Sequence, residues 1–497
     1  MSQRKRIQTL LLSTLMVSCS TGNDLSKLKA EHQQYTYSSY AKENLNAHPS
    51  PARNHSPSVN PQLANVKKHI VAQKQQANQT IHATIQHNGI FTPTKNLQQQ
   101  AATLHSQISS ERWLQAQPNL TTVLTLALRN NINIKSSLQN AKASIAKYDQ
   151  ISFLNDTLAQ YAAFTNKPAD NNFPFPGLLS LKGSIIDQAV ESARLELKQT
   201  VQDTITQARL AYYELQQGQQ DIAVINTNIK LLQLLKKQLE NTLITTKINI
   251  STIYLADIEI AKNINKKKVT QTLLSKPQAQ LNALLNLSAH FKLNKLPPLE
   301  EKQIKLSVPQ LLTTAKAHRV EIQQLQSTIK KVARIIRLSE KRFYPDFSAG
   351  YSRFLNQASL QTGSNASKPS FSTRPDFKKQ NFFGVNDAYL SETKLKHQAL
   401  QTKLQALINK TESDIQQTLS QYQVAQHNYQ LYQAKIIPLS KQTKTIAQSM
   451  FETGDSSYPE VIKSEQMIID ARLLTFEALK AMNSNLAKLS RIVGSEI

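Results

Sequence analysis

The chain holds one cysteine, ten glycines and 33 acidic side chains in 497 residues, against 59 basic ones. A lone cysteine excludes an intramolecular disulfide framework. No Gly-rich phosphate loop, HExxH or GxSxG elbow occurs, so the sequence assigns no catalytic residue, metal ligand or cofactor, and it does not read as an enzyme. Beyond residue 17 no apolar run approaches the ~20 residues that a spanning helix requires, so strands must make any membrane crossing. The shortage of acid leaves a net charge of +26. That charge invites a nucleic-acid reading, but the lysines spread along helical faces without interleaved aromatics, and the leader directs the chain out of the cytoplasm. The basic surface therefore reads as a solvated face, not a nucleic-acid site. A milder alternative is contact with anionic lipid or anionic cargo.

What is present begins with an address. MSQRKR is a short basic leader and IQTLLLSTLMV an apolar run of about a dozen residues, the pattern of a secretory signal over residues 1–18. Cys19 follows at once. Met16, Val17, Ser18 and Cys19 resemble a bacterial lipobox, which implies lipidation of Cys19, and Ser20 in the next position implies an outer-membrane destination. Residues 19–118 are rich in Gln, Asn, His, Ser and Ala, with too little apolar surface to repay ordering, and predict a flexible linker with some helical stretches. Seven of the eleven histidines lie there, at irregular spacings that build no metal site.

The rest of the chain is written twice. LTTVLTLALRNNINIKSSLQ from Leu120 matches VPQLLTTAKAHRVEIQQLQS from Val308, an offset of 188 residues. Further on, INISTIYLADIEIA matches GDSSYPEVIKSEQM with Ser251 on Ser457 and Glu259 on Glu465, an offset of 206 that gives the second copy 18 extra residues. The copies divide as residues 119–300 and 301–497. In each, a long run carries apolar residues at alternating steps of three and four, as in Val201, Ile205, Ala208, Tyr212 and Leu215, the mark of a coiled-coil seam. Residues 186–247 and 389–451 predict rods of roughly 90 to 100 Å. Pro438 predicts a bend, and Pro277 a break in the first returning helix. Each rod turns and comes back as shorter helices stacked end to end, making a four-helix sheaf whose unsatisfied seams favour a closed ring of identical subunits.

Aromatic stretches interrupt the helices. Residues 344–354 and 371–385 predict two strands joined by a polar loop, and residues 172–181 a weaker extended segment.

MFETGDSSYPEVIKSEQMIIDARLLTFEALKAMNSNLAKLSRIVG resembles the C-terminal signature of TolC-like outer-membrane efflux proteins, and FPFPGLLSLKG, QYAAFTNKP and FFGVNDAYLSETK resemble one branch of that family. The likeness covers about residues 119–497. It implies a mainly α protein with a small β part: a homotrimer whose long antiparallel helices form an α-barrel across the periplasm, topped by a transmembrane β-barrel of few strands per protomer. It also implies a periplasmic adaptor protein and an inner-membrane transporter as partners, with outer-membrane lipid around the barrel. The hairpin tips become the adaptor-binding ends: Asn249, Ser251 and Thr252 in the first, where no glycine stands, and Gly454, Asp455, Ser456, Ser457 and Tyr458 in the second. There Gly454 would permit a left-handed turn, the polar trio would cap the next helix, and Tyr458 would sit at the mouth. The expected function is passive export of small molecules or metal ions. A type I protein-secretion outlet and a non-channel coiled-coil structural lipoprotein are the alternatives. Asp257, Glu259, Glu460 and Glu465 near the tips read as solvated or salt-bridged carboxylates before they read as acid and base.

Overall fold

The computed structural model describes residues 61–148, 176–243, 250–302, 307–341, 383–453 and 455–497. Cys19, the strand-like stretch 344–354 and residues 371–382 of the second stretch lie outside them, while residues 383–385, expected to end that strand, are helical. Among the described residues every regular element is helical, and no helix is long and apolar enough to cross a membrane.

Three helices, α1 (Pro61–Gln86), α2 (Lys95–Ala102) and α3 (Gln107–Ala116), precede the repeats. The first repeat contains α4 (Leu120–Asn130), α5 (Ile132–Ala146), the rod α6 (Pro176–Leu243), α7 (Ile250–Leu273) and α8 (Ser275–Leu285). The second contains α9 (Val308–His318), α10 (Val320–Lys341), α11 (Phe383–Leu431), α12 (Ile437–Thr453) and α13 (Tyr458–Val493).

The first rod is a single helix of 68 residues, about 100 Å at 1.5 Å per residue. It begins earlier than its seam suggests. Residues 176–181, expected to be extended, are helical, because Pro176 sits where a helix start tolerates a missing N–H and its ring already holds a helical φ. The second rod runs through α11 and α12 with a π turn at Tyr432–Ile436 between them. Pro438 explains that turn. Its ring cannot donate to the preceding turn and crowds the carbonyl there, and a widened turn relieves both faults. The seam positions Val201, Ile205, Ala208, Tyr212, Leu215, Ile225, Leu232 and Leu239 are all buried.

In the tier formed by the early half of α6, α5 packs on α6, α6 on α10 and α10 on α11. In the tier nearer the hairpin tips, α7 packs on α6, α6 on α13, and α13 on α11 and α12. Each tier is thus an open layer with the first repeat's short helices at one edge and the second rod at the other.

The repeat is visible in the backbone breaks. Both α4 and α9 are 11-residue helices that stop one residue before the next begins, at Asn131 and at Arg319, which are 188 apart. The returning legs, however, correspond at 208 and not at 206. Ile250 and Tyr458 start them, and Asn286 and Gly494, both left-handed, end them. The extra length of the second copy is therefore 20 residues by structure. Sequence alignment slips here because both returns begin with short apolar and Ser/Thr alternations, which match almost equally well two residues apart.

Between the tiers lies a collar. Residues 61–118, expected to be a flexible linker with some helical stretches, carry the three helices α1 to α3, and Ile81, Ile90, Phe91 and Leu114 lie in the core. Polar side chains from the first rod organise what composition alone could not. Gln202 Nε2 donates to the Asn88 carbonyl at 2.7 Å, Arg209 to Ile90 at 2.9 Å and the Tyr212 hydroxyl to Pro118 at 2.8 Å. Fully buried Asn88 closes its own turn, donating to the Phe91 carbonyl at 2.7 Å and accepting from the Ile90 and Phe91 N–H groups. His82, His87 and His105 are exposed, and no cluster of metal-ligating side chains occurs among the described residues.

Gly494 seals the collar from the other end of the sequence. Its φ is +77°, and a Cβ there would meet the His318 carbonyl oxygen at 2.3 Å. Gly218, the one glycine between residues 186 and 243 of the first rod, has a packing reason instead: a Cβ would lie 2.3 Å from Leu274, the residue at the break between α7 and α8. That break is the one Pro277 predicts.

Candidate functional site

The two hairpin tips are closed by the same device. Lys236 on the first rod meets Asp257 on α7 at 2.7 Å, and Lys444 on the second rod meets Glu465 on α13 at 2.6 Å. Lysine and carboxylate are separated by 21 residues in each hairpin, and both members of the pair shift by 208 between copies. Glu259 pairs with Lys262 at 2.6 Å, and Glu460 accepts from the Ser456 hydroxyl. All four tip carboxylates are engaged in pairing or capping. Lys266 on α7 also reaches Asp470 on α13 at 3.5 Å and ties one returning leg to the other.

Gly454 and Asn249 lie outside the described residues. Around Gly454, the N–H groups of Asp455 and Ser456 both donate to the Met450 carbonyl, at 2.8 and 3.1 Å, and the Thr453 hydroxyl donates to Asp455 at 2.8 Å. Ser457 occupies the N-cap position, yet its side chain caps nothing, and the working polar contact is Ser456 to Glu460. Tyr458 departs furthest from expectation. Instead of standing at a mouth it is 4% exposed, its ring 5.7 Å from that of Phe451, in a cluster with Leu232, Leu239, Ala256 and Ile462. This cluster draws on both repeats and pins the second tip to the first rod. The Tyr458 hydroxyl is buried without a partner, and burial pushes its pKa up to about 12.

The 208 register moves the first tip as well. Ser251 and Thr252 fall inside the first turn of α7, while Asn249 stands in sequence where Ser457 stands in the second copy. Beside them Ile250, Tyr254, Leu255 and Ile258 are exposed, Tyr254 at 64%. Sequence reasoning missed this patch, because on paper α7 looks like any returning leg.

Exposed apolar side chains are concentrated on the layer's edges. Of 19 large hydrophobic residues exposed among those described, seven lie on α7 and six on the second rod, including Val424, Leu431, Leu439 and Ile446 at near-heptad steps. Those two elements are the edges left open after α6 and α13 have packed.

Deeper in the lower tier, Asn228 Nδ2 donates to Asn263 Oδ1 at 3.1 Å and Asn263 Nδ2 to the Glu259 carbonyl at 2.8 Å, fixing α7 against α6. Seven residues above Asn228 is Asp221. Burial pushes its carboxyl up to about 7, against the pull of Lys480 and Lys266.

This architecture is that of solved outer-membrane channels. The open-state MtrE outer-membrane channel of Neisseria gonorrhoeae aligns with a TM-score of 0.54 at 14% identity, covering 76% of this chain and 89% of that one. The CmeC outer-membrane channel of Campylobacter jejuni gives 0.55 at 11% identity over 77% and 88%. The outer-membrane protein VceC of Vibrio cholerae gives 0.53 at 14% over 79% and 99%. No family model and no curated protein matches the sequence. The mainly helical, two-repeat fold implied by the TolC-like resemblance is the fold observed.

Proposed function

We propose that the protein is the outer-membrane channel subunit of a tripartite efflux system, a passive duct for small molecules or metal ions. The carrying observation is the open helical layer whose two edges hold most of the exposed apolar side chains, in a fold shared with outer-membrane channels. Closing edge to edge covers α7 of one copy with the second rod of the next, and three copies complete a helical wall around a water-filled bore. Strands from the two aromatic stretches then form the barrel, and acylated Cys19 anchors the chain to the outer membrane.

The paired tips, with Asn249, Ser251, Thr252 and the 454–458 turn, are the ends that face a periplasmic adaptor and, through it, an inner-membrane transporter. Tyr458 acts there as an internal pin, not a contact. Purified trimers in planar bilayers should give single-channel currents, and their absence would refute the duct. Gly454→Val should weaken adaptor coupling with assembly intact; unchanged drug resistance in cells would locate coupling elsewhere. Cys19→Ser should release the anchor, read as loss of radiolabelled lipid.

A further inference from the structure

In the lower tier α7 is fixed to the first rod along its length, by the Asn228 to Asn263 bond, the Lys236 to Asp257 pair and the fit of Leu274 against Gly218. α13 is pinned to that rod near its ends. Arg491 holds Asp203 at 2.5 Å toward the collar, and Tyr458 and Ile462 sit in the shared apolar cluster toward the tips. Between those pins, among the described residues, the ion pair that reaches α13 from the first hairpin is Lys266 to Asp470, at 3.5 Å.

Asp221 of α6 stands beside that pair. Lys266 of α7 and Lys480 of α13 lie close enough to attract its charge, Glu477 of α13 repels it, and Gln217, one turn earlier on the same helix, donates to the carboxyl. α8, also packed on α6, contributes one charged residue, Lys276, and it is exposed. Asp221 Oδ1 is buried and has no hydrogen-bond partner among the described residues, while Lys266 gives its closest contact to Asp470 instead. A buried carboxylate oxygen without a donor carries a desolvation cost that protonation relieves. We infer that Asp221 is a pH-operated latch on the midspan of α13. Protonated, it lets α6, α7 and α13 close together under the Lys266 to Asp470 pair. Ionised, it draws in water and competes with Asp470 for Lys266, and α13 comes away from the wall between its two pins.

The sign follows from which arrangement holds the proton. In the packed arrangement burial raises the carboxyl to about 7, whereas in the released one it is solvated and titrates in its ordinary range. Packing is therefore fullest below that ordinary range and is lost as pH rises toward about 7, with the packed-to-released ratio falling by at most about tenfold per pH unit. The latch is independent of conduction and of what the hairpin tips meet.

The test places spin labels at Val269→Cys and Leu474→Cys, exposed positions one turn beyond the Lys266 to Asp470 pair, in the full-length assembly with Cys19→Ser so that no other thiol takes label. Pulsed electron double resonance should show a short distance near pH 5 that gives way to a longer one near pH 8, with the ratio of the two changing by about tenfold or more. Asp221→Asn should keep the short distance at both values, and Asp221→Glu should keep the pH dependence. Lys266→Gln should give the longer distance already near pH 5. A native distance that does not change would overturn the inference, as would the same pH dependence in Asp221→Asn, which assigns the titration to Asp470 or Glu477. A short distance retained by Lys266→Gln would overturn it equally.

Discussion

Asn131 and Arg319 occupy the same backbone break in the two repeats, yet they hold it by different chemistry. Asn131 works locally. Its Oδ1 caps the Ile134 N–H at 3.1 Å and its Nδ2 donates to the Leu284 carbonyl at 2.9 Å, joining its short helix to its own returning leg. Arg319 belongs to a charged chain. It donates to Thr411 at 2.9 Å and pairs with Asp414 at 3.4 Å and Glu321 at 3.3 Å; Glu321 binds Arg491 at 2.7 Å, and Arg491 binds Asp203 of the first rod at 2.5 Å. Burial opposes the charge on Glu321, but the hydrogen bond and charge of Arg491 outweigh it and hold the carboxyl below its ordinary range. The first hinge secures one repeat, while the second fastens the repeats to each other. A duplicated scaffold can keep its geometry and still divide the labour.

The contrast breaks most sharply at Arg491. Arg491→Leu removes the partner of Asp203 and leaves Glu321 with Arg319 alone, and should cost about 3 kcal/mol, read as a drop in the denaturant midpoint. Because the folded Glu321 value is depressed, this stabilisation is present above the ordinary carboxylate range and is lost as pH falls through the folded value. The native melting temperature should thus fall on acidification more steeply than the variant's. Next comes Tyr458→Ala, which empties a buried site shared by both repeats and should cost about 3 kcal/mol. Tyr254→Ala on the exposed edge should leave protomer stability unchanged and weaken assembly, measured by sedimentation. Asn131→Ala should cost only about 1 kcal/mol, the size of a lost cap; a loss equal to that of Arg491→Leu would erase the distinction between hinges.

A separate, pH-dependent effect concerns Asp221. Its folded pKa is raised, so the native state binds more protons, and stability declines from about pH 4 to about 7 and then levels. Asp221→Asn should remove that slope, raising the melting temperature at pH 8 and not at pH 4.

The rods, the Pro277 break, an irregularity at Pro438 and the 188-residue offset were all legible in the sequence, because heptad periodicity and proline act locally. The collar was not. Its order comes from Gln202, Arg209 and Tyr212, more than a hundred residues from Asn88 and Ile90 for the first two, and no composition measure of residues 61–118 contains them. Tyr458 misled for a related reason: a tyrosine beside a turn is apolar enough to be buried and polar enough to be exposed, and Phe451 and Leu239 decide between these. The two-residue slip at the tips arose where Ser251 and Ser457 look alike as letters but differ in place, one inside a helix and one before it.

One contact has a bearing on how the chain is made. The Glu496 N–H donates to the Gly89 carbonyl at 2.8 Å, so the loop that closes the collar is completed by residues about four hundred positions downstream. Contacts of such sequence separation form late and slow folding. A nascent polypeptide carrying only the first repeat has no Glu496 to offer the Gly89 carbonyl, so that clasp waits until the last residues of the chain arrive.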